Sequence, residues 1–306
     1  LTPPPAGAEI PAWLRRVLER GLRSGAGERF PDTPALLAAL RADPTRRQRM
    51  VAGATALAVA LVGGFGARHY ATAQQAAACT VEGASIAAVW NEDAAARLRE
   101  GLIATGVPYA ATTAEKVIPY FAAQAEAWQA ARTEACLDAR VREALRPELF
   151  EQAAWCLDER RMELEALVAE LSRATANSVV KAVPAAAGLS SLAPCRDASR
   201  LARLPALPHD RRGVQAVRGQ LSRAEALQAA GSYDDGLTAA RVALTAAESL
   251  GWPPLVVAAR LRVGHLLGLS GKIAEADATL EDAYFQASEI GALEVAATAS
   301  TLLVYM

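Results

Sequence analysis

The sequence has a net charge of only −1 and lacks strand-forming stretches and clustered metal ligands, and each of these features excludes a class of partner, fold or site. Its 32 Lys and Arg residues balance 33 Asp and Glu residues, so no basic field exists to attract nucleic acid. Stretches rich in Val, Ile, Thr and aromatic residues are nearly absent, whereas helix formers dominate, which predicts an all-α fold. The three histidines, His69, His209 and His265, stand alone, so no spacing typical of a zinc or haem site occurs.

One segment lacks charge altogether. No Asp, Glu, Lys or Arg occurs in the eighteen residues Met50–Ala67. A helix of this length rises about 27 Å, close to the roughly 30 Å hydrocarbon thickness of a bilayer. The run therefore predicts one transmembrane helix, in a region that we place at residues 46–70. A buried core helix is less favoured because the run has no polar face.

A cleaved signal peptide is the second alternative for this segment. Arg46-Arg47 is similar to a twin-arginine start, and Ala76-Ala77-Ala78-Cys79 is similar to a lipoprotein cleavage box. Signal segments begin within the first residues of a precursor, whereas about forty-five residues come first in this chain, which disfavours this alternative. The arginines before the run place residues 1–49 in the cytoplasm by the positive-inside rule. We therefore expect a single-pass protein of the bacterial inner membrane, with the chain after residue 70 outside the cytoplasm.

All four cysteines lie on the outer side of the span: Cys79, Cys136, Cys156 and Cys195. An even number confined to the oxidising compartment favours two disulfides over four reduced core cysteines. Pro147 lies midway between Cys136 and Cys156, and a helical hairpin there would bring these two thiols level. We therefore expect a Cys136–Cys156 bond, with Cys79–Cys195 as the second.

The segment before the span has the pattern of two short helices. One apolar face is formed by residues at helical spacing, namely Trp13, Leu14, Val17, Leu18 and Leu22. Gly25 and Gly27 interrupt this helix. Asp32 or Thr33 can then cap a second helix that has Pro34 in its first turn.

The motif order in this segment resembles the C-terminal end of the bacterial Hanks-type serine/threonine protein kinase domain. The matching motifs are Trp13-Leu14, Arg20-Gly21-Leu22, Glu28-Arg29-Phe30 and Leu40-Arg41-Ala42-Asp43-Pro44. The resemblance implies that residues 1–45 are a remnant of the kinase C-lobe. It also implies that Arg29 occupies the position of the arginine that pairs with the glutamate of the kinase Ala-Pro-Glu motif. The alternative is that Arg29 is an ordinary solvated turn residue.

The catalytic motifs of that family do not occur in this sequence. It has no Gly-rich phosphate loop, nucleotide-binding lysine, His-Arg-Asp catalytic loop or Asp-Phe-Gly magnesium motif. We therefore expect no catalytic, cofactor-binding or metal-binding residue in this chain. ATP and Mg²⁺ are expected only of an upstream kinase domain. Residues 2–8 are expected to be a disordered loop.

Residues 71–205 predict a helical domain outside the membrane. The breakers divide it into five helices: Thr72–Trp90, Glu92–Thr105, Thr113–Asp138, Pro147–Ala174 and Ser178–Leu192. Tryptophans at helical positions, namely Trp90, Trp128 and Trp155, are expected to be core anchors rather than a ligand cage.

This domain resembles the extracytoplasmic segment of membrane-bound kinases of myxobacterial type. The matching stretches are Val89-Trp90-Asn91, residues 104–110, Trp128 with Arg132 and Cys136, residues 156–160, and Leu192 with Cys195. The resemblance supports the architecture and a pairing of the cysteines, and implies no chemistry.

Residues 206–306 contain an internal period of forty residues. Gly231 aligns with Gly271, and Gly251 aligns with Gly291. The spacing resembles the tetratricopeptide repeat at Gly264, Leu267, Gly271, Ala276, Leu280 and Ala283. The resemblance implies an α-solenoid that binds a protein or peptide in a concave groove, and we expect it to continue beyond residue 306. Candidate groove residues are Arg218, Arg223, Arg260, Arg262 and His265; the alternative is that these are solvent-facing charges.

Three functional hypotheses follow from these patterns. The first is a sensor, protein-binding and membrane-anchoring region of a receptor-like serine/threonine kinase, which acts in signal transduction and in which a homodimer is one expected state. The second is a membrane-anchored tetratricopeptide scaffold with no kinase role. The third, a cytosolic repeat regulator, is disfavoured by the apolar run and by the placement of the cysteines.

Overall fold

A computed structural model describes residues 10–42 and 44–305 of the chain. Every regular element in these residues is a helix, which confirms the all-α prediction. The chain forms two compact units, one that ends at Thr72 and one that begins at Ala73. The second unit contains nearly all of the segment 71–205 and the described part of 206–306.

The α-helices have the following bounds. They are α1 Ala12–Gly21, α2 Thr33–Arg41, α3 Pro44–Ala84, α4 Glu92–Ala104, α5 Ala110–Arg140, α6 Pro147–Leu171, α7 Ala176–Ala187, α8 Ala198–Leu201, α9 Arg211–Ala229, α10 Tyr233–Leu250, α11 Pro253–Leu269, α12 Ile273–Glu289 and α13 Leu293–Tyr305.

In the first unit, α1 and α2 form the two short helices expected from the sequence. The Asp32 carboxylate accepts a hydrogen bond from the Ala35 amide at 2.7 Å, so Asp32 is the N-cap of α2. The Arg29 guanidinium donates to the carbonyls of Arg23 at 2.5 Å and Ser24 at 3.2 Å, which closes the turn between the helices. Asp43 and the predicted disordered loop at 2–8 lie outside the described residues.

The uncharged run Met50–Ala67 lies within α3. Among the described residues, one helical stretch, which begins at Gln48, contains a window that is long and apolar enough to cross a membrane. The window has a mean hydropathy of 1.9, and none of it is buried. Large apolar side chains such as Leu57, Val62 and Phe65 are more than half exposed. An apolar surface of this kind favours burial in an apolar environment.

The core of the second unit is built around α4, α5, α6 and α7. Phe121 and Leu98 are fully buried at its centre, and the Trp90 and Phe121 rings lie 5.3 Å apart. The Trp128 indole nitrogen donates to the Leu157 carbonyl at 2.6 Å, which satisfies its one polar group inside the core. Trp155 is also buried. The three tryptophans are therefore core anchors, as predicted.

The predicted disulfide connectivity is wrong. The structure pairs Cys79 with Cys136 and Cys156 with Cys195, each with a Cα–Cα distance of 5.4 Å. The hairpin of α5 and α6 exists, but its two thiols are not level. Cys136 lies four residues before the end of α5, whereas Cys156 lies nine residues after the start of α6. The difference of five residues corresponds to roughly 7.5 Å along the helix axes.

The Cys79–Cys136 bond joins the end of α3 to α5, and charged groups reinforce the same contact. Glu82 on α3 accepts a hydrogen bond from Arg140 at 2.5 Å and lies 3.5 Å from Arg132. Both guanidinium groups also lie over the Phe150 ring, at 5.5 Å for Arg140 and 6.0 Å for Arg132. The end of α3 is therefore attached to α5 by a covalent bond and by partly buried ion pairs.

Helices α9 to α13 repeat one local geometry. Gly231, Gly251, Gly271 and Gly291 follow one another at intervals of twenty residues, and all four have positive φ between 66° and 84°. A positive φ favours glycine, which ends each helix and starts the next. Each helix packs on its successor, while α9 also packs on α11 and α11 on α13.

The repeated helices share a core with the helical segment before them. Helix α9 packs on α6, and Trp155 of α6 lies in one apolar cluster with Val214 and Val217 of α9. The Trp155 and Trp252 rings also meet edge to face at 6.4 Å. The helical segment and the repeated segment therefore form one body within the second unit.

Substitution of Gly101 by Ala is expected to destabilise the second unit by about 2–3 kcal/mol. A Cβ at Gly101 of α4 would lie 2.6 Å from the Ser172 carbonyl carbon, and backbone cannot move aside as a flexible side chain can. Gly219→Ala is the matched control, because a Cβ there meets nothing within 4 Å and alanine favours helix. Urea unfolding of both variants checks this; equal stability of the two would contradict the packing of α4 on Ser172.

Candidate functional site

A cleft of about 440 Å³ lies in the second unit, where α7 and the turn after it face α9 and α11. The apolar part of its lining consists of Leu167, Leu189, Ala226, Ala229 and Leu269. Polar side chains from five helices, α6, α7, α9, α10 and α11, also line the cleft. The cleft therefore combines an apolar surface with a few oriented polar groups, which is the usual composition of a binding site.

One wall of the cleft is the turn at residues 188–190, and hydrogen bonds hold it to two helices. A Glu163 carboxylate oxygen on α6 accepts from both the amide and the hydroxyl of Ser190, each at 2.9 Å. Gln124 on α5 donates to the Ser190 carbonyl at 3.0 Å. The other Glu163 oxygen accepts from Arg160 at 3.1 Å. The Glu163 charge is therefore compensated, and its role is to position the wall.

The opposite side of the cleft is a hydrogen-bonded chain that links α9 to α11. Arg262 of α11 forms an ion pair with Glu225 of α9 and donates to the Gln228 side-chain oxygen at 2.8 Å. The Gln228 side-chain nitrogen lies 3.3 Å from Nδ1 of His265. Since the Gln228 oxygen accepts from Arg262, its nitrogen donates to His265. Nδ1 of His265 is therefore an acceptor, and the imidazole proton is on Nε2.

His265 is neutral at physiological pH. Burial and, to a smaller extent, the positive charge of Arg262 together lower the pKa of His265 to about 4. Protonation would also turn Nδ1 into a donor that faces the amide donor of Gln228. The cleft therefore offers a neutral imidazole beside an arginine that is already paired with Glu225.

Acidic pH is expected to reduce the stability that His265 contributes to the folded second unit. The folded pKa of His265, about 4, lies below its ordinary value of about 6.5, so the unfolded chain binds more protons between these values. The contribution of His265 to stability is therefore complete above about pH 6.5 and is lost as the pH falls towards 4. In thermal unfolding between pH 7 and 4, His265→Gln should show a smaller decrease in Tm than the wild type. An equal decrease in Tm for His265→Gln and the wild type would contradict the lowered pKa of His265.

The structure brings two of the five predicted groove residues, Arg262 and His265, into the cleft. Arg218 instead forms an ion pair with Glu159 of α6 at 3.1 Å, and Arg260 forms one with Glu248 of α10 at 3.0 Å. Arg223 lines a separate depression between α6, α9 and α10. The five residues therefore do not line a single groove, because Arg218 and Arg260 form ion pairs with residues of α6 and α10.

Sequence reasoning missed several residues of the cleft. Glu225 could have been found, because it lies forty residues before His265 and thus at the equivalent position of the preceding repeat. Glu163, Lys181 and Ser190 lie outside the repeated segment, and no spacing connects them to it. Only the packing of α6 and α7 against α9 brings them to the cleft.

Comparison with known proteins does not extend these observations: no protein-family model, curated protein or solved structure matches this chain.

Proposed function

We propose that this chain is the membrane-anchoring and protein-binding region of a receptor-like bacterial serine/threonine protein kinase. In this proposal residues 10–42 are the final helices of the kinase C-lobe, and Met50–Ala67 crosses the inner membrane once. The helical region after residue 70 lies outside the cytoplasm. The kinase domain upstream would bind ATP and Mg²⁺ and transfer the phosphoryl group. The region described above would receive the signal.

The exposed, uncharged segment of α3 carries the proposal. It separates a segment with kinase-like motifs from one in which all four cysteines form disulfides. Disulfides persist in oxidising compartments and are rare in the cytosol. The arginines before the run favour a cytoplasmic location for the N-terminal side. The oxidising compartment that the disulfides require and the arginines before the apolar run thus support the same topology independently.

The outer region would bind a protein or peptide. The repeated helices and their glycine turns support a tetratricopeptide-like solenoid, and the cleft beside α9 and α11 is the surface at which we propose that the ligand binds. A ligand that also bridges two copies would favour a homodimer, and dimerisation outside the membrane would bring two kinase domains together inside. The near-zero net charge gives no support to a nucleic-acid partner.

The alternative is a membrane-anchored repeat scaffold with no kinase role. The two proposals differ in what precedes Leu1, so the gene sequence upstream separates them. The kinase proposal requires a Gly-rich loop, a His-Arg-Asp catalytic loop and an Asp-Phe-Gly motif in that region. An upstream sequence without the two catalytic aspartates would rule out the kinase and leave the scaffold.

Binding in the cleft is tested with peptides selected from a random library against the full chain in detergent. Leu269→Glu and Lys181→Glu change exposed side chains of the cleft, and we expect each to weaken the selected peptides by about ten-fold or more, which corresponds to about 1.4 kcal/mol. Val242→Glu is the control, since Val242 is 58% exposed and lines the separate depression. Equal weakening by all three variants would contradict binding in the cleft.

A further inference from the structure

We infer that the Cys156–Cys195 disulfide is a redox-sensitive clamp on the wall of the cleft, so that a dithiol reductant outside the cytoplasm opens the binding site. The inference rests on the proposed binding role of the cleft. It adds a means of regulation that the repeats and the membrane segment do not supply.

Two attachments hold the same short segment to one helix. Cys195 follows the wall residue Ser190 by five positions, and Glu163 follows Cys156 by seven positions, or about two turns of α6. The disulfide and the Glu163–Ser190 hydrogen bonds therefore fasten both ends of residues 190–195 to α6. Removal of the disulfide leaves this segment with its hydrogen bonds and the buried side chain of Leu192.

The two disulfides of the chain differ in accessibility. Cys79 and Cys136 are both 0% exposed, and Cys195 is 1% exposed, whereas Cys156 is only partly buried. Thiol–disulfide exchange requires access of a thiolate to a sulfur atom. Cys156 is the most exposed residue of the four cysteines, so we expect the Cys156–Cys195 bond to be reduced before Cys79–Cys136.

The reduction balances as an ordinary dithiol exchange. A thiolate of the reductant attacks Sγ of Cys156, forms a mixed disulfide and releases the Cys195 thiolate, which takes up a proton. The second thiol of the reductant then displaces the Cys156 thiolate, which is protonated in turn. Two electrons and two protons pass to the chain, and the reductant leaves as a disulfide. Reoxidation by a disulfide oxidant reverses both steps.

Graded reduction of the full chain in detergent micelles tests the inference. Samples are equilibrated with increasing dithiothreitol, free thiols are alkylated, and each cysteine is quantified by mass spectrometry. We expect Cys156 and Cys195 to become alkylated at a dithiothreitol concentration about ten-fold lower than Cys79 and Cys136. Simultaneous reduction of both disulfides, or reduction of Cys79–Cys136 first, would overturn the inference.

Hydrogen exchange measures the opening of the wall itself. In the Cys156→Ser/Cys195→Ser variant we expect amide exchange across residues 188–192 to rise about ten-fold, with α9 and α11 unchanged. Cys79→Ser/Cys136→Ser is the control: its loss of stability acts on the whole second unit, so it should show no rise in exchange confined to residues 188–192. If the Cys156→Ser/Cys195→Ser variant fails to fold, selectively reduced wild type replaces it. Unchanged exchange after loss of Cys156–Cys195 would overturn the clamp, and neither readout depends on whether a peptide binds the cleft.

Discussion

Replacement of both Cys79 and Cys136 by serine is expected to lower the free energy of unfolding of the second unit by about 4 kcal/mol. The bond joins residues 57 positions apart, and a cross-link across a loop of that length removes about this much unfolded-state entropy in the chain-entropy model. Both residues are fully buried, so the serine hydroxyls would also lack water. Urea unfolding of the full chain in a mild detergent measures the loss.

Cys79→Ala/Cys136→Ala separates the two contributions to this loss. Alanine removes the cross-link without burying a hydroxyl, so this variant should retain most of the 4 kcal/mol loss. Arg140→Met is a further control that breaks the neighbouring ion pair with Glu82 but keeps the disulfide. The Arg140 side chain is 44% exposed, so solvent screening limits the contribution of this ion pair to about 1 kcal/mol. A loss below 1 kcal/mol in both cysteine variants would contradict the 79–136 connectivity.

Substitution of Val59 by arginine is expected to prevent most molecules of the protein from inserting into the membrane. Val59 lies at the centre of Met50–Ala67 and is 67% exposed on α3. Arginine at the centre of a spanning helix costs about 2.5–3.5 kcal/mol of insertion free energy, which lowers the insertion equilibrium by roughly 100-fold. The effect should be large because this run is rich in alanine and glycine and has little excess hydrophobicity.

Carbonate extraction of bacterial membranes measures insertion as the fraction of chain that stays in the pellet. Val81→Arg is the matched control, since Val81 is on the same helix and is 72% exposed, yet lies beyond the apolar run. It should remain as resistant to extraction as the wild type. Equal behaviour of Val59→Arg and wild type would show that the segment does not span the bilayer.

Local sequence signals predicted where several helices begin, but not all of their bounds: the predicted helix Ser178–Leu192 ends at Ala187. Asp32 and Pro34 mark the start of α2, and Pro147 marks the start of α6. The glycines Gly231, Gly251, Gly271 and Gly291 mark the turns of the repeated helices. Each has a positive φ, which glycine adopts readily and which allows one helix to end before the next begins. Each of these signals acts within a few residues, so tertiary packing does not alter it.

Tertiary packing decided what the sequence could not predict. The disulfide connectivity depends on how far each thiol lies from the α5–α6 turn, and this distance follows from where α5 ends at Arg140. The cleft joins Glu163 and Lys181 to the repeated segment through the packing of α6 and α7 on α9. Similarly, the Arg218 side chain is drawn to Glu159 of α6, a partner that no repeat pattern contains.

The division of the chain between two compartments is the central claim, and protease protection tests it most directly. In inverted inner-membrane vesicles, whose cytoplasmic face is outward, protease should remove residues up to about 49 and leave a protected fragment that contains both disulfides. In spheroplasts the same protease should cleave the region after residue 70. Complete digestion of the disulfide-bonded region in sealed inverted vesicles would contradict the proposed topology and the receptor role with it.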